Sequence, residues 1–355
     1  MIRALALLLM LTLALPARAQ EAVAVFTAPG VDTDAAAGTA PGVSLIVRST
    51  TDIAILAPAL TGFVTRHPQI TIRYEQWGSN ALYADSLRAC EGDGPGADVV
   101  ISSGVHQMVD LVNRACAQPY RSPLTDALPD TRKWRNEIWG ITQEAAVTIY
   151  NSALVPAEDV PQSRFALLDL MRRSPLRYRG KIATYDIQAS GLGFLFAFMD
   201  SQAATTFGGL LEGFSRVNAV ATCCSAEIIQ GVAEGRYLMA YNVLGSYVAS
   251  APQANIGIIH PTDYTLFLSR ALVIPRGAAN AQGAALFLDY LLSPEGRRAL
   301  TEANLIQQPD REDTSLPESA RRFISIDPTT LVAMDRHRQL NFIAKWRGTF
   351  GQIAP

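Results

Sequence analysis

The sequence predicts an α/β protein of two Rossmann-like lobes, and three observations carry that expectation. At 355 residues the chain holds about two domains of ordinary size. Short apolar runs alternate with helical periodicities, the pattern of a largely parallel sheet covered by helices. The pattern of the first half also returns near Phe267, after a second α/β series has intervened. With 49% apolar and 17% charged residues, broken by 25 Gly and 20 Pro, the composition fits neither a disordered chain nor a polytopic membrane protein. A formal charge of -2, from 30 basic and 32 acidic residues, lacks the basic field that grips nucleic acid.

The elements follow in chain order. Arg3, the uncharged apolar stretch Ala4 to Leu15, and Pro16-Ala17-Arg18-Ala19 read as a signal peptide over 1–19, cut before Gln20 and too short to span a bilayer. A periplasmic location follows. Residues 20–42, rich in Ala, Gly, Thr and Pro without periodicity, read as a mobile leader. Val43 to Val47 is a buried-strand run, Ser49 to Asp52 a turn and cap, and Ile53, Leu56, Leu60, Phe63 and Val64 keep helical spacing up to Pro68. Strands at Ile70 to Tyr74 and Ala97 to Ile101 complete the first series, with helices through Leu82 and Leu87 and through Met108, Leu111 and Val112.

Trp139 to Asn151 is a long apolar run enclosing the charged Glu144, and reads as a crossover between domains. Strands are then expected at Gly180 to Thr184, Asn218 to Ala221, Tyr237 to Asn242 and Ile256 to Ile259, separated by helices. Leu272 to Pro275 is a strand, Ala278 to Leu292 a helix, and Ser293-Pro294-Glu295 a capped helix start. Lobe 1 is therefore expected over 43–141 and 266–320, lobe 2 over 142–265, and a C-terminal helical extension over 321–355. That extension packs either on a lobe or on a membrane partner.

Four cysteines in an exported chain allow three pairings. Cys90 and Cys116 close consecutive helices that flank one strand, which favours a bridge between them. Adjacent Cys223 and Cys224 leave free thiols and a vicinal bond both open, and no Cys/His spacing suggests zinc.

Three loops repeat one design of strand end, hydroxyl residues and helix start: Ser49-Thr50-Thr51, Ser102-Ser103-Gly104 and Ser190-Gly191. Free amides and hydroxyls at such positions bind an anion without a full cation. Trp77 and Tyr241 are candidates for stacking, Glu144 for accepting from a hydroxyl or amine, and Tyr185, Asp186 and Asn242 for second-lobe polar contacts. No G-x-S-x-G, H-E-x-x-H or G-x-x-x-x-G-K-[ST] is present, so catalysis, a metal and a cofactor are not expected. His106 alone among the four histidines falls near a candidate loop.

Leu45 to Asp52, Ala97 to Ser103, Gly180 to Asp186 with Ser190 to Gly193, Tyr241 to Tyr247, and Ala285 to Gly296 form an ordered set over about 43 to 306. Together they resemble the type II periplasmic solute-binding proteins of ABC importers, in the cluster that binds ferric iron, phosphoglycerate, hexose phosphates or aminoethylphosphonate. The resemblance implies two α/β lobes joined by crossing strands that close on a ligand. It also implies delivery to an ABC permease, or presentation to a sensor kinase, by a monomer. The ferric branch carries adjacent tyrosines where this chain has Leu244-Gly245, with Tyr247 beyond, which removes the best ligands for hard iron. A phosphorylated or carboxylated organic anion is the expected ligand, with ferric iron second.

Overall fold

The computed structural model describes residues 20–30, 43–203, 205–250, 252–307 and 316–350. Residues 1–19, read as a signal peptide in the sequence, and residues 31–42 lie outside them. Two sheets form. The first takes β1 (Gln20–Phe26), β2 (Val43–Ser49), β3 (Ile70–Trp77), β4 (Val99–Ser102), β5 (Lys133–Trp134) and β6 (Ile138–Gly140). The second takes β7 (Glu144–Asn151), β8 (Ile182–Tyr185), β9 (Val220–Thr222), β10 (Met239–Leu244), β11 (Ile256–Ile259) and β12 (Thr265–Leu268). The chain then returns to the first sheet with β13 (Ala271–Val273), and β14 (Arg321–Phe323) joins the second.

The strand orders are β1-β3-β2-β4-β13-β6-β5 and β14-β12-β7-β10-β8-β9, with β11 also on β7. Strands β2, β3 and β4 run parallel, as do β8, β9 and β10, because each is followed by a helix that covers the sheet. Two short links join the sheets. Residues 141–143 lead from β6 to β7, and Ser269-Arg270 lead from β12 to β13. The links are bonded to each other: Ile141 N donates to Arg270 O at 2.9 Å, and Arg270 N to Thr142 Oγ1 at 2.8 Å.

Two departures from the sequence reading, at 20–26 and at 266, have physical causes, and one helix forms against its propensity. Residues 20–26 belong to an ordered edge strand, antiparallel to β3, instead of a mobile leader. Its residues alternate between half-buried and exposed, but with Val23 and Val25 outward, so no polar alternation marks it. Strand β12 pairs with β7 and β14, so the return begins at Ser269 and not at 266. The helix Phe207–Arg216 has Gly208, Gly209 and Gly213 against it and is held by burial of Leu210, Leu211 and Phe214.

The core divides accordingly. Leu45, Phe63 and Phe287 anchor one face of the first sheet. Leu168, Phe214 and Met239 anchor the outer face of the second. The C-terminal helix Arg336–Phe350 joins that second cluster, burying Trp346 and stacking Phe342 on Phe207. Cys90 and Cys116 are joined in a disulfide with Cα atoms 5.3 Å apart, and Cys223 and Cys224 in a second.

Candidate functional site

A cleft of about 410 Å³ opens between the lobes, beyond the carboxyl ends of the parallel strands. The first lobe lines it with Thr50, Asp52, Gln76, Trp77, Ser79 and Ser103, and β1 adds Glu21. The second lobe contributes Tyr185, Ser190, Cys223, Cys224, Ser225 and Tyr247, and Arg270 comes from the link. A smaller cavity of about 100 Å³ beside the Cys90–Cys116 bridge reaches Gly96, Ala97 and Pro275 at the opposite end of the first sheet, away from these groups.

The first-lobe loops divide their hydroxyls between two tasks. Ser49 Oγ accepts from Thr51 N at 3.0 Å and Ser102 Oγ from Gly104 N at 3.0 Å, so both are spent on holding the turns. Thr51 is fully buried and its carbonyl accepts from Tyr74 OH. Thr50 and Ser103 face the cleft, where Thr50 Oγ1 accepts from Ser103 N at 3.0 Å and lies 3.2 Å from Ser103 Oγ. Trp77 lines the wall with its Nε1 donating to Glu75 and the Arg48 guanidinium 5.4 Å from its ring centre.

The second-lobe wall is built from two helix starts. Ser190 Oγ accepts from Gly193 N at 3.0 Å at the head of the helix Gly191–Ala203. Tyr185 OH and Ser225 Oγ share a hydrogen bond of 2.6 Å at the head of Ser225–Ala233, and burial pushes the Tyr185 phenol up to about 12. Asp186 lies behind the wall, where its carboxylate accepts from Gln188 N.

One contact between the lobes runs along these helix starts. Gly191 N donates to Ser79 Oγ at 2.9 Å, and Asn80 Nδ2 to Gln188 O at 2.8 Å. A Cβ at Gly191 would meet the amide end of the Gln107 side chain at 2.8 Å, which that side chain would have to shift to admit. His106 packs in the same contact against Phe194, outside the cleft lining; burial lowers its pKa to about 3, far from a useful general base.

Arg270 occupies the floor. Its Nε donates to Glu144 Oε1 at 2.8 Å and its Nη2 to Oε2 at 3.2 Å, and Nη1 lies 3.5 Å from Thr50 O. Burial works against this charge, but the Glu144 carboxylate and Tyr247 outweigh it and hold the Arg270 pKa above its ordinary value. Glu144 is itself fully buried beneath Arg270, accepting also from Thr142 and Ser246, so its carboxylate supports the floor without lining the cleft. Tyr247 OH donates to Asp52 Oδ1 at 3.0 Å, tying the second lobe to the first.

Tyr241 and Asn242 lie elsewhere. A bulge in β10 sets Asn242 at φ +56° and turns its amide onto Asp200 at 2.6 Å. Tyr241 OH donates to Asp200 at 2.7 Å and accepts from Arg164 Nε at 2.6 Å. Both side chains belong to a sealed network inside the second lobe. The structure therefore gathers Thr50, Trp77, Ser103, Tyr185 and Ser190 around the cleft, keeps Ser49, Thr51, Ser102, Asp186 and Gly191 as the frame behind them, and sends Tyr241 and Asn242 away. The sequence reading missed Arg270 and gave Tyr247 no ligand role. The signal for Arg270 was present: two apolar crossing runs, around Glu144 and around Arg270, each carry one charge of opposite sign.

A family model described as bacterial extracellular solute-binding protein matches residues 48–298. Among solved structures, the chain is similar to the substrate-binding protein of an ABC transporter from Agrobacterium tumefaciens, at 26% identity and a TM-score of 0.84, covering 93% of this chain and 98% of that one. It also resembles the periplasmic binding protein AfuA from Actinobacillus pleuropneumoniae with fructose-6-phosphate bound, at 16% identity and a TM-score of 0.67, covering 88% and 100%. Iron-bound HitA from Pseudomonas aeruginosa follows at 17% identity and a TM-score of 0.63, covering 86% and 99%. The last two matches establish the two-lobe fold.

Proposed function

The chain belongs to the bacterial extracellular solute-binding proteins, which bind small ligands and deliver them to ABC permeases, and from that premise we propose that its solute is a small organic anion, phosphorylated or carboxylated. The observation that carries this reading is Arg270 on the cleft floor. Glu144 takes an N–H from each of two nitrogens and Thr50 O takes a long 3.5 Å bond from Nη1, which leaves two of the five N–H donors for a solute. Around it stand the hydroxyls of Thr50, Ser103 and Ser190 and the amides of two helix starts, which add donors without adding charge. The carboxylates of Asp52 and Glu21 line the same space, so the solute offers them a hydroxyl or ammonium donor away from its anionic end.

Binding and closure are linked because the solute touches both lobes only when they meet, while the links at 141–143 and 269–270 absorb the movement. The working place is the periplasm, where the closed form is handed to the permease.

Ferric iron is a second reading, drawn from the phenols of Tyr185 and Tyr247 on the cleft wall. Burial raises both pKa values, which opposes the phenolates that iron needs. A thermal-shift screen of sugar phosphates, phosphonates, carboxylates, polyamines and ferric chelates separates the readings, since a ligand selective for the native state raises Tm. Stabilisation by anions, lost in Arg270→Met, is expected. Stabilisation by polyamines alone overturns the anion, and a phenolate-to-iron charge-transfer band installs the second reading.

A further inference from the structure

We propose that Cys223, Cys224 and Glu227 form a thiol-gated site for one thiophilic divalent cation at the rim of the cleft. The two cysteines, bonded to each other, are exposed and line the cleft beside Tyr185 and Ser190. Glu227 lies in the first turn of the helix Ser225–Ala233, and Cys224 sits at the position before that helix, where its side chain makes no capping hydrogen bond. The Cys223 sulfur is 3.6 Å from Glu227 Oε2, and the two sulfurs and a carboxylate oxygen all lie within 4.8 Å of one another.

The sulfur-to-carboxylate distance suits a metal, and the two sulfurs join it once their bond is opened and they part. A tetrahedral d10 cation sits about 2.3 Å from thiolate sulfur and about 2.0–2.2 Å from carboxylate oxygen, which places its ligand atoms about 3.5–4 Å apart. Neighbouring positions in the chain keep the sulfurs close in both redox states, so opening the bond asks little of the backbone. Amides at the helix start favour the thiolate form of the released thiols. Three protein ligands leave a fourth position for water.

The gate is an exchange reaction. A dithiol reductant gives two electrons and two protons to the sulfur–sulfur bond, which breaks into two thiols, while the reductant leaves as its own disulfide. Cation binding then releases both thiol protons. In the extracellular setting of the family the pair rests oxidised, so the site is off until a dithiol reaches it. None of this depends on what solute the cleft holds.

Cadmium is the probe. The full chain is titrated with cadmium before and after treatment with a dithiol that is then removed. The oxidised protein is expected to show no thiolate-to-cadmium charge-transfer band, and the reduced protein to bind one equivalent with that band. A Cys223→Ser/Cys224→Ser variant keeps the Cys90–Cys116 pair and loses the band, which separates the proposed site from the other disulfide. Glu227→Gln keeps the band and weakens the affinity. The proposal fails if the dithiol releases no thiols, if the band survives in the double serine variant, or if cadmium binds equally without reduction.

Discussion

Among the described residues two arginine–carboxylate pairs have side-chain exposures of 1% or less, and only one of them faces the cleft between the lobes. Arg270 and Glu144 sit at the join of the lobes, with side-chain exposures of 1% and 0%. Arg164 and Asp200 sit inside the second lobe, both at 0%, and are wrapped by Tyr241, Asn242 and Tyr264. The Arg164 guanidinium carbon lies 3.5 Å from the Tyr264 ring centre, and its nitrogens also reach Tyr264 O and Asp263, so the group is enclosed by protein. Arg270 lines the cleft, and its Nη1 makes only a long 3.5 Å bond to Thr50 O. Burial and charge pairing are thus common to a structural network and a binding floor, and what separates them is whether the arginine lines the open cleft.

The largest expected effect breaks the sealed pair. Arg164→Met leaves Asp200 as an unpaired buried carboxylate and is expected to cost about 3–5 kcal/mol, read as a fall in denaturation midpoint with an unchanged slope. If instead the stability barely moves, the network is not the closed unit described here. Arg270→Met is expected to cost less, because water in the cleft reaches the region that the side chain vacates. It also abolishes capture of the anion. Combining it with Glu144→Gln sharpens the contrast: the double variant should regain much of the lost stability and none of the binding. Recovery of binding in the double variant would show that Arg270 acts only by neutralising Glu144.

This contrast also explains what could be read in the sequence. Alternating apolar runs located most of the strands, since strand and helix periods are local properties. The hydroxyl loops were visible because strand end, hydroxyl and helix start follow one another within a few residues. Which hydroxyl would face the cleft was not visible: Thr50 and Thr51 are neighbours of the same type, yet backbone direction turns one into the cleft and the other into the core. Asn242 was misplaced because a bulge in β10 turns it onto the face that Tyr241 shares with Met239, toward Asp200, and nothing in Ala240-Tyr241-Asn242-Val243 announces a bulge. Arg270 was missed because its partner Glu144 lies 126 positions away. Opposite charges in two separate apolar runs gain meaning only once both runs are known to cross between the same lobes.

The smallest effect compares one hydroxyl from each region. Tyr241→Phe removes a group that accepts from Arg164 and donates to Asp200 in a space without water, so it is expected to cost about 1–3 kcal/mol of stability and leave solute affinity unchanged. Thr50→Val keeps the shape of the side chain and removes the acceptor of Ser103 N at the cleft surface. Water replaces that partner in the empty cleft, so stability should hold within about 0.5 kcal/mol. With solute bound and water excluded, the same loss leaves a donor unsatisfied and is expected to weaken binding by about 1 kcal/mol, roughly fivefold, in calorimetry. Opposite results, a stability loss at Thr50 and an affinity loss at Tyr241, would reverse the assignment of the two regions, because the hydroxyl that matters for binding has to be the one that water leaves when the lobes close.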